Sequence, residues 1–499
     1  MEFERKGLGL GLAAFAATAL LVWFGNGLHP LWPLMWVAPL PVLLYALRAE
    51  TSGRSAAVVA WVGWFVGCGN LVGYFRVLGT PLVAWFTLFA LAALVFAVGV
   101  LLCRALVRRG AVGSAVVALP AVWVTYEYVR NLLWPHGSAG SLAYSQLNFL
   151  PFLQLASLTG PWGMSFVLLL FPAGLAVAWA ARGDSRRALR VAGATVGLVV
   201  AVLVFGAVRL AMRPPGPMAR VGLVTSDAPG NRWAPKPGAD TERLLRDYAG
   251  EARTLIAQGA QVVVMPETLG RVVDPNTGAT DTVLQSVADD SEATLVAGMV
   301  RIAGRLQYDE ARVYAPDLPV RLYDKEHLLP PFEDIFTPGK GLLVLHRPET
   351  VWGVAICKDM DFMNPARRNG RAGVGLMLVP GADFGVDGFW HGHIAVMRGV
   401  EDGFSVARAA KQGFLTVSDD RGRVVAERAS ETAPFVTMLA EVPAGHEGTL
   451  YLLWGDWFAW CAVALCVWVL ALVFVPRWSS AAKESTAENT KSAEGATVS

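Results

Sequence analysis

Three short stretches of this chain end an apolar run on a residue able to do acid–base or nucleophilic chemistry. Residues 351–362 read VWGVAICKDMDF, a short buried strand that stops at Cys357 before a charged Lys358-Asp359. A cysteine at such a turn stands at a strand end, close to unpaired backbone N–H groups, where a nucleophile can attack and its oxyanion can be held. Alone the signal is weak, because a free cysteine is more often a small core hydrophobe. Residues 262–269, VVVMPETL, form a second buried run ending on Pro266-Glu267, and residues 323–333, YDKEHLLPPFE, carry Lys325. Glu, Lys and Cys are the parts of a thiol acyl-transfer site. Glu267 takes the thiol proton, Lys325 stabilises the anion and Cys357 attacks. A thiol of ordinary pKa is mostly protonated at neutral pH, so a base and a counter-charge beside it favour the thiolate. The bland readings, a strand-end surface carboxylate and a solvated turn lysine, stand against this for each residue taken singly.

Taken together, the three motifs over residues 219–445 resemble the nitrilase (carbon–nitrogen hydrolase) superfamily, which has a Glu-Lys-Cys triad in this chain order. The resemblance implies supporting roles for Glu333, eight residues after Lys325, which orients the lysine or the attacking amine, and for Asp359, two after the cysteine. It also marks departures. Lys358 stands where an aromatic is usual, Met265 where a tryptophan is usual, PPFE replaces PFGE, and Lys411-Gln412-Gly413 replaces Asn-Thr-Gly.

The elements that must carry this site are unusual in composition. The chain has 499 residues, 54% of them hydrophobic and only 16% charged, with 18 tryptophans. A soluble domain is nearer a quarter charged, so much of this chain belongs in lipid. A net charge of +2 gives no nucleic-acid footprint. Five cysteines, four of them in apolar runs, form neither a disulfide framework nor a zinc site, and no metal or organic cofactor is expected. No H-E-x-x-H or G-x-S-x-G motif supports a zinc or serine hydrolase.

Apolar runs long enough to cross a bilayer lie at about 8–25, 31–47, 56–75, 81–103, 114–133, 163–181, 190–210 and 451–475, giving eight expected helices. The first is read as an uncleaved membrane helix rather than a signal peptide. Alternate connections carry Arg48 and Arg54, then Arg104, Arg108 and Arg109, then Arg182, Arg186, Arg187 and Arg190, whereas the opposite ones contribute Arg76. The positive-inside bias puts both termini in the cytoplasm and residues 211–450 outside it. Glu127 and Arg130 share one face of the fifth helix, where each costs about 2.5–3.5 kcal/mol if lipid-exposed. They read equally well as a structural ion pair or as part of a lipid headgroup site.

An inserted nitrilase-like domain before the last of eight helices, with the loop WPHG followed by AYSQLNFLPFLQLASLTGPWGMSF, resembles the apolipoprotein N-acyltransferase family. The resemblance implies a membrane α-helical bundle plus an inserted α/β αββα sandwich. Residues 1–210 hold seven membrane helices, 211–450 the extracytoplasmic catalytic domain, 451–476 the eighth helix and 477–499 a disordered cytoplasmic tail. It also implies a bacterial cytoplasmic (inner) membrane location, a phospholipid acyl donor and a diacylated lipoprotein acceptor. Trp233, Phe384, Phe389 and Trp390, in the Gly-rich stretches 229–238 and 382–391, are candidates for lids that admit an acyl chain, or for ordinary packing on the domain. A membrane-tethered amidase and a catalytically silent lipid-binding scaffold are the alternative functions.

Overall fold

The computed structural model describes residues 2–316 and 318–474, with side chains from residue 7; the expected tail, with Arg477 and Lys483, lies outside the described residues. Helices dominate the first part of the chain: α1 (Glu2–Gly25), α2 (Trp32–Met35), α3 (Leu40–Ala46), α4 (Gly53–Gly67), α5 (Val72–Val77), α6 (Leu82–Arg108), α7 (Val112–Leu133), α8 (Leu150–Leu153), α9 (Ala156–Ala180) and α10 (Ser185–Ala211). Among the described residues seven helices are long and apolar enough to span a membrane, α4 and α5 joining through one 3-10 turn into a single span.

The second expected run departs from this. Residues 31–47 do not make one long helix but the short segment Trp32–Ala46, in two pieces. Pro33 opens α2 and Pro39-Leu40-Pro41 opens α3; a proline lacks the N–H that a continuous ladder needs there. Arg104 of α6 reaches across to donate to the carbonyls of Ala46 and Thr51 at the end of this segment. α9 also bends, at Gly160 (φ 62°), where any side chain would collide with the Tyr451 ring. That bend explains why the helix starts at Ala156 rather than at the expected 163.

The second part alternates strands and helices: β1 (Met218–Thr225), α11 (Ala239–Ala257), β2 (Val262–Val264), β3 (Arg271–Val273), α12 (Gly278–Ser291), β4 (Thr294–Ala303), β5 (Leu306–Tyr314), β6 (Arg321–Asp324), β7 (Leu343–His346), β8 (Val351–Val354), α13 (Met363–Arg371), β9 (Leu376–Ala382), α14 (Gly388–Asp402), β10 (Ser405–Lys411), β11 (Phe414–Ser418), β12 (Val424–Ala429) and β13 (Val436–Pro443). The chain then returns to the bundle through α15 (Leu450–Trp454) and α16 (Trp457–Phe474).

Two sheets stack face to face. One runs β13-β1-β2-β4-β5-β6 with β3 paired to β4, the other β12-β11-β10-β9-β8-β7. Val221, Leu223, Val262 and Val264 of the first sheet meet Val354, Leu376, Leu378 and Ala407 of the second in a shared core. α11 and α12 cover the outer face of the first sheet, and α13 and α14 that of the second. Each fully buried Val or Leu of this kind contributes about 1.5–3 kcal/mol. The layers are therefore helix, sheet, sheet, helix, as expected. β1, β2 and β4 are mutually parallel, as are β8, β9 and β10. Parallel strands expose their C-terminal ends on one edge, and the loops after β2, β6, β8, β9 and β10 carry the residues described next.

Candidate active site

Glu267 sits just past β2. Its backbone N–H donates to Gly381 O at 3.2 Å, across to the second sheet, and Gly298 of β4 lies so close beneath it that a Cβ there would come within 2.4 Å of the Glu267 Cα. Only glycine tolerates that approach. Lys325 follows β6 and is 1% exposed. Its ammonium is 2.6 Å from Glu267 Oε1, 2.7 Å from Glu333 Oε1 and 3.4 Å from Asp309 Oδ2. These three carboxylates are close enough together to suit a metal ion, but the cation among them is the lysine.

Cys357 opens a 3-10 turn, Cys357–Asp361, in a left-handed conformation (φ 41°) that a side chain adopts at a cost. Val354, Ala355 and Ile356 before it are fully buried and hold the strained turn in place. Its Sγ is 3.3 Å from Ala382 O and within hydrogen-bonding contact of the Glu267 carboxylate.

The electrostatics assign the proton. Burial alone would raise Glu267, but the Lys325 ammonium outweighs it and holds the carboxyl down at about 2. Burial and then the Glu267 charge push the Cys357 thiol well up, with Lys325 opposing. The resting pair is therefore thiol and carboxylate, not the thiolate expected from the sequence: removing the sulfur from water outweighs the lysine's pull.

Asp359 joins the two loops that matter. Its Oδ1 accepts from the N–H groups of Glu326 (3.2 Å) and His327 (2.9 Å), and its Oδ2 from the Tyr323 hydroxyl (2.9 Å) and Ile356 N–H (3.2 Å). One fully buried carboxylate thus fixes the lysine loop against the cysteine loop. Glu333 Oε2 closes its own loop by accepting from Leu329 N–H at 2.7 Å.

The departures from the superfamily pattern fall at different depths. Met265 is fully buried between the first sheet and its helices. Lys411, at the end of β10, is buried and donates to Arg232 O, Thr268 O and Thr268 Oγ1, each within 3.2 Å. Burial lowers its pKa to about 8. Lys358 is buried beside Cys357, with its Nζ 3.1 Å from His136 Nδ1 and 3.7 Å from Asp361 Oδ2.

His136 belongs to the loop after α7, and the same loop sends the Ser138 hydroxyl to Asp361 O at 2.6 Å. The membrane part therefore touches the cysteine turn directly. Behind it, Asp361 and Asp387 flank His391 at 3.2 and 3.5 Å. Burial opposes charge on His391, but the two carboxylates raise its pKa to about 10. Arg408 holds Asp383 through two hydrogen bonds at 2.9 and 2.5 Å.

The remaining expected residues divide. Trp233 is 79% exposed on its loop. Trp390, expected as a lid, is 8% exposed and packs edge-on against Tyr144 in the core shared with the bundle. It opens α14 rather than a loop, so its ring is pinned by the helix. Phe389 is half-buried, stacked on His393 at 4.0 Å and 5.5 Å from His29, while Phe384 faces Phe332. Glu127 and Arg130 do not form the expected ion pair. Buried Glu127 accepts from Trp123 Nε1, Ser141 Oγ and Leu142 N–H, satisfying its charge without the arginine. The Arg130 guanidinium lies over the Tyr126 ring, against Gly140.

Sequence reasoning missed Asp309, His136, Asp383 with Arg408, and His391. Only Asp309 left a signal: two acids, Asp309-Glu310, inside an otherwise strand-like run.

Both parts of the chain match known families. Residues 11–175 match the apolipoprotein N-acyltransferase N-terminal domain, and residues 237–452 match the carbon-nitrogen hydrolase family. The apolipoprotein N-acyltransferase of Geobacter metallireducens is 26% identical, over 89% of this chain and 91% of that protein. Its counterpart in Bradyrhizobium diazoefficiens is 27% identical, over 88% and 90%. Among solved structures, an amidase of Nesterenkonia from the nitrilase superfamily is 22% identical over 46% of this chain and 92% of its own, with a TM-score of 0.39. With both domain matches in the family's order, and seven helices fit to span a membrane, the chain is a bacterial membrane protein that belongs to the apolipoprotein N-acyltransferase family.

Proposed function

We propose that this chain transfers an acyl chain from a phospholipid to the N-terminal amine of a diacylglyceryl-cysteine lipoprotein, through a thioester on Cys357. The observation that carries the reading is the buried contact of Lys325 with Glu267 at 2.6 Å, beside a thiol at the end of β8 whose turn is braced by a membrane-bundle loop. The named relatives, which are apolipoprotein N-acyltransferases, support the same substrates.

In the first half-reaction Cys357 Sγ attacks the ester carbonyl while its proton passes to Glu267. The oxyanion lies against the Lys325 ammonium and the N–H groups that open the 3-10 turn, which have no partner within the turn. The C–O bond breaks, and the departing lysophospholipid oxygen takes the proton from Glu267. In the second half-reaction the acceptor amine attacks the thioester and Glu267 receives its proton. The C–S bond breaks and the sulfur recovers that proton, leaving an amide and the free thiol. Charge and atoms balance without a redox step.

The side of the membrane follows from the loop arginines. Counting Trp32–Ala46 as a crossing, residues 211–450 lie outside the cytoplasm, where lipoproteins are presented.

Enzyme given phospholipid without acceptor should gain the mass of one acyl chain on Cys357, releasable by hydroxylamine and missing in Cys357→Ala. A diacylated lipopeptide should then discharge it to a triacylated product. Release of ammonia from a small amide with no lipid adduct would instead make this a tethered amidase. A silent scaffold would show neither the adduct nor ammonia.

A further inference from the structure

Asp309 has no role in the steps above, yet it sits within them. It is 1% exposed in the middle of β5, and both its carboxyl oxygens are buried without a hydrogen-bond donor among the described residues. Its backbone is in use, with its carbonyl accepting from Lys325 N–H at 2.8 Å. Its carboxyl faces Glu267, Lys325 and Glu333, whose ligating atoms all crowd the same few ångströms. Lys325 already makes close contacts with Glu267 at 2.6 Å and Glu333 at 2.7 Å, and its 3.4 Å approach to Asp309 is the longest of the three. Lys411, a further cation that feels the charge of Asp309, spends its donors on Arg232 O and Thr268.

Two ionised carboxylates cannot hydrogen-bond to one another, and one ammonium cannot neutralise three anions in a dry pocket. Asp309 and Glu267 are nonetheless in hydrogen-bonding contact. A single proton resolves the first problem and eases the second, leaving two carboxylates rather than three around Lys325. We infer that Asp309 is a neutral carboxylic acid that donates its hydrogen bond to Glu267, and that it is a positioning residue which keeps Glu267 ionised and aimed at the Cys357 thiol. Burial, reinforced by the Glu267 charge, pushes Asp309 well above the usual carboxylate range despite Lys325, in keeping with this. The asymmetry is the familiar consequence of placing like acids side by side: one keeps its proton so that the other can lose its own.

The inference rests on the proposed use of Glu267 and Cys357, but it can be tested without an acyl substrate. Alkylation of Cys357 by iodoacetamide, read by mass on the Cys357 peptide across pH, reports the thiol's ionisation alone. The substitution Asp309→Asn keeps the side chain's shape and supplies a donor without a charge. It should therefore give an alkylation profile that overlays the wild type and retain kcat within about threefold, since proton transfer to Glu267 is preserved. Asp309→Ala removes the donor. It should move the profile to higher pH and lower kcat about tenfold or more with KM unchanged. If Asp309 were ionised, Asp309→Asn would delete a negative charge and move the profile to lower pH by about one pH unit; that result overturns the inference. So does an Asp309→Ala enzyme indistinguishable from wild type in both measurements. Absence of acyl transfer in the wild type would sink the proposed function while leaving the alkylation result standing.

Discussion

Glu267→Gln replaces a proton acceptor by a group of nearly the same volume, which separates chemistry from folding. The fold should survive. Lys325 keeps Glu333 at 2.7 Å and Asp309 at 3.4 Å, and the backbone at 267 keeps its hydrogen bond to Gly381 O. What is lost is one charge-assisted hydrogen bond, about 1.5–3 kcal/mol. The chemistry should suffer more. General-base transfer is worth about 10²–10⁴ in rate, or about 2.7–5.4 kcal/mol at 1.36 kcal/mol per factor of ten.

The pH dependence gives a sharper signature. Because Glu267 is held at about 2, it stays ionised from pH 8 down to 5. Single-turnover acylation of Cys357 by phospholipid in detergent, followed by intact mass, should thus be flat over that range in the wild type. Without the base, the reaction depends on the rare thiolate of a thiol that burial still pushes up. Its rate should climb about tenfold per pH unit. The same depressed pKa also sets the stability window: the contribution of Glu267 is complete above about 4.5 and lost as pH falls through about 2. A Glu267→Gln enzyme within about tenfold of wild type, and equally flat with pH, would refute the assignment of the base.

Three other outcomes are expected. Asp359→Ala strands the four donors it now satisfies and frees the lysine loop from the cysteine loop; kcat should fall by about 10²-fold, with a lowered Tm in a thermal melt. His391→Gln should lose stability in a pH-dependent way. The folded pKa, about 10, lies above the ordinary 6.5, so the histidine's contribution is complete below about 6.5 and is lost as pH rises through about 10. The Tm gap between wild type and variant should narrow over that interval; a gap constant with pH would contradict the charged state. A cysteine placed at the exposed Ala279 in a variant without other exposed cysteines should react with an impermeant reagent added outside intact cells, and labelling only after lysis would reverse the proposed orientation.

How much of this is written in the sequence varies with the distance over which each signal acts. Glu267, Lys325 and Cys357 end apolar runs, and a strand's end is a local property that a one-dimensional pattern can carry. The layered sandwich follows from the same runs. Asp309 lies inside a strand, and its meaning comes from residues at 267, 325 and 333 that meet only once β2, β4, β5 and β6 lie side by side. Trp390 misleads because a Gly-rich approach resembles a loop, whereas Gly388 here begins a helix that the bundle packs against. The second apolar run is counted by hydropathy, and hydropathy is blind to the missing donors of Pro33, Pro39 and Pro41. Glu127 and Arg130 sit one turn apart on α7, yet the carboxylate satisfies itself on a loop that no helical wheel includes.

The contact of Ser138 with the Asp361 carbonyl has a kinetic consequence. It ties the turn carrying the nucleophile to the loop leaving a membrane helix, so the sulfur keeps a set height relative to the bundle. A nucleophile held in this way searches a plane rather than a volume. For a donor dissolved in that plane the governing variable is its mole fraction among the surrounding lipids. Dilution with inert detergent or lipid at constant bulk donor would then slow the first half-reaction, whereas enlarging the aqueous volume would leave it unchanged.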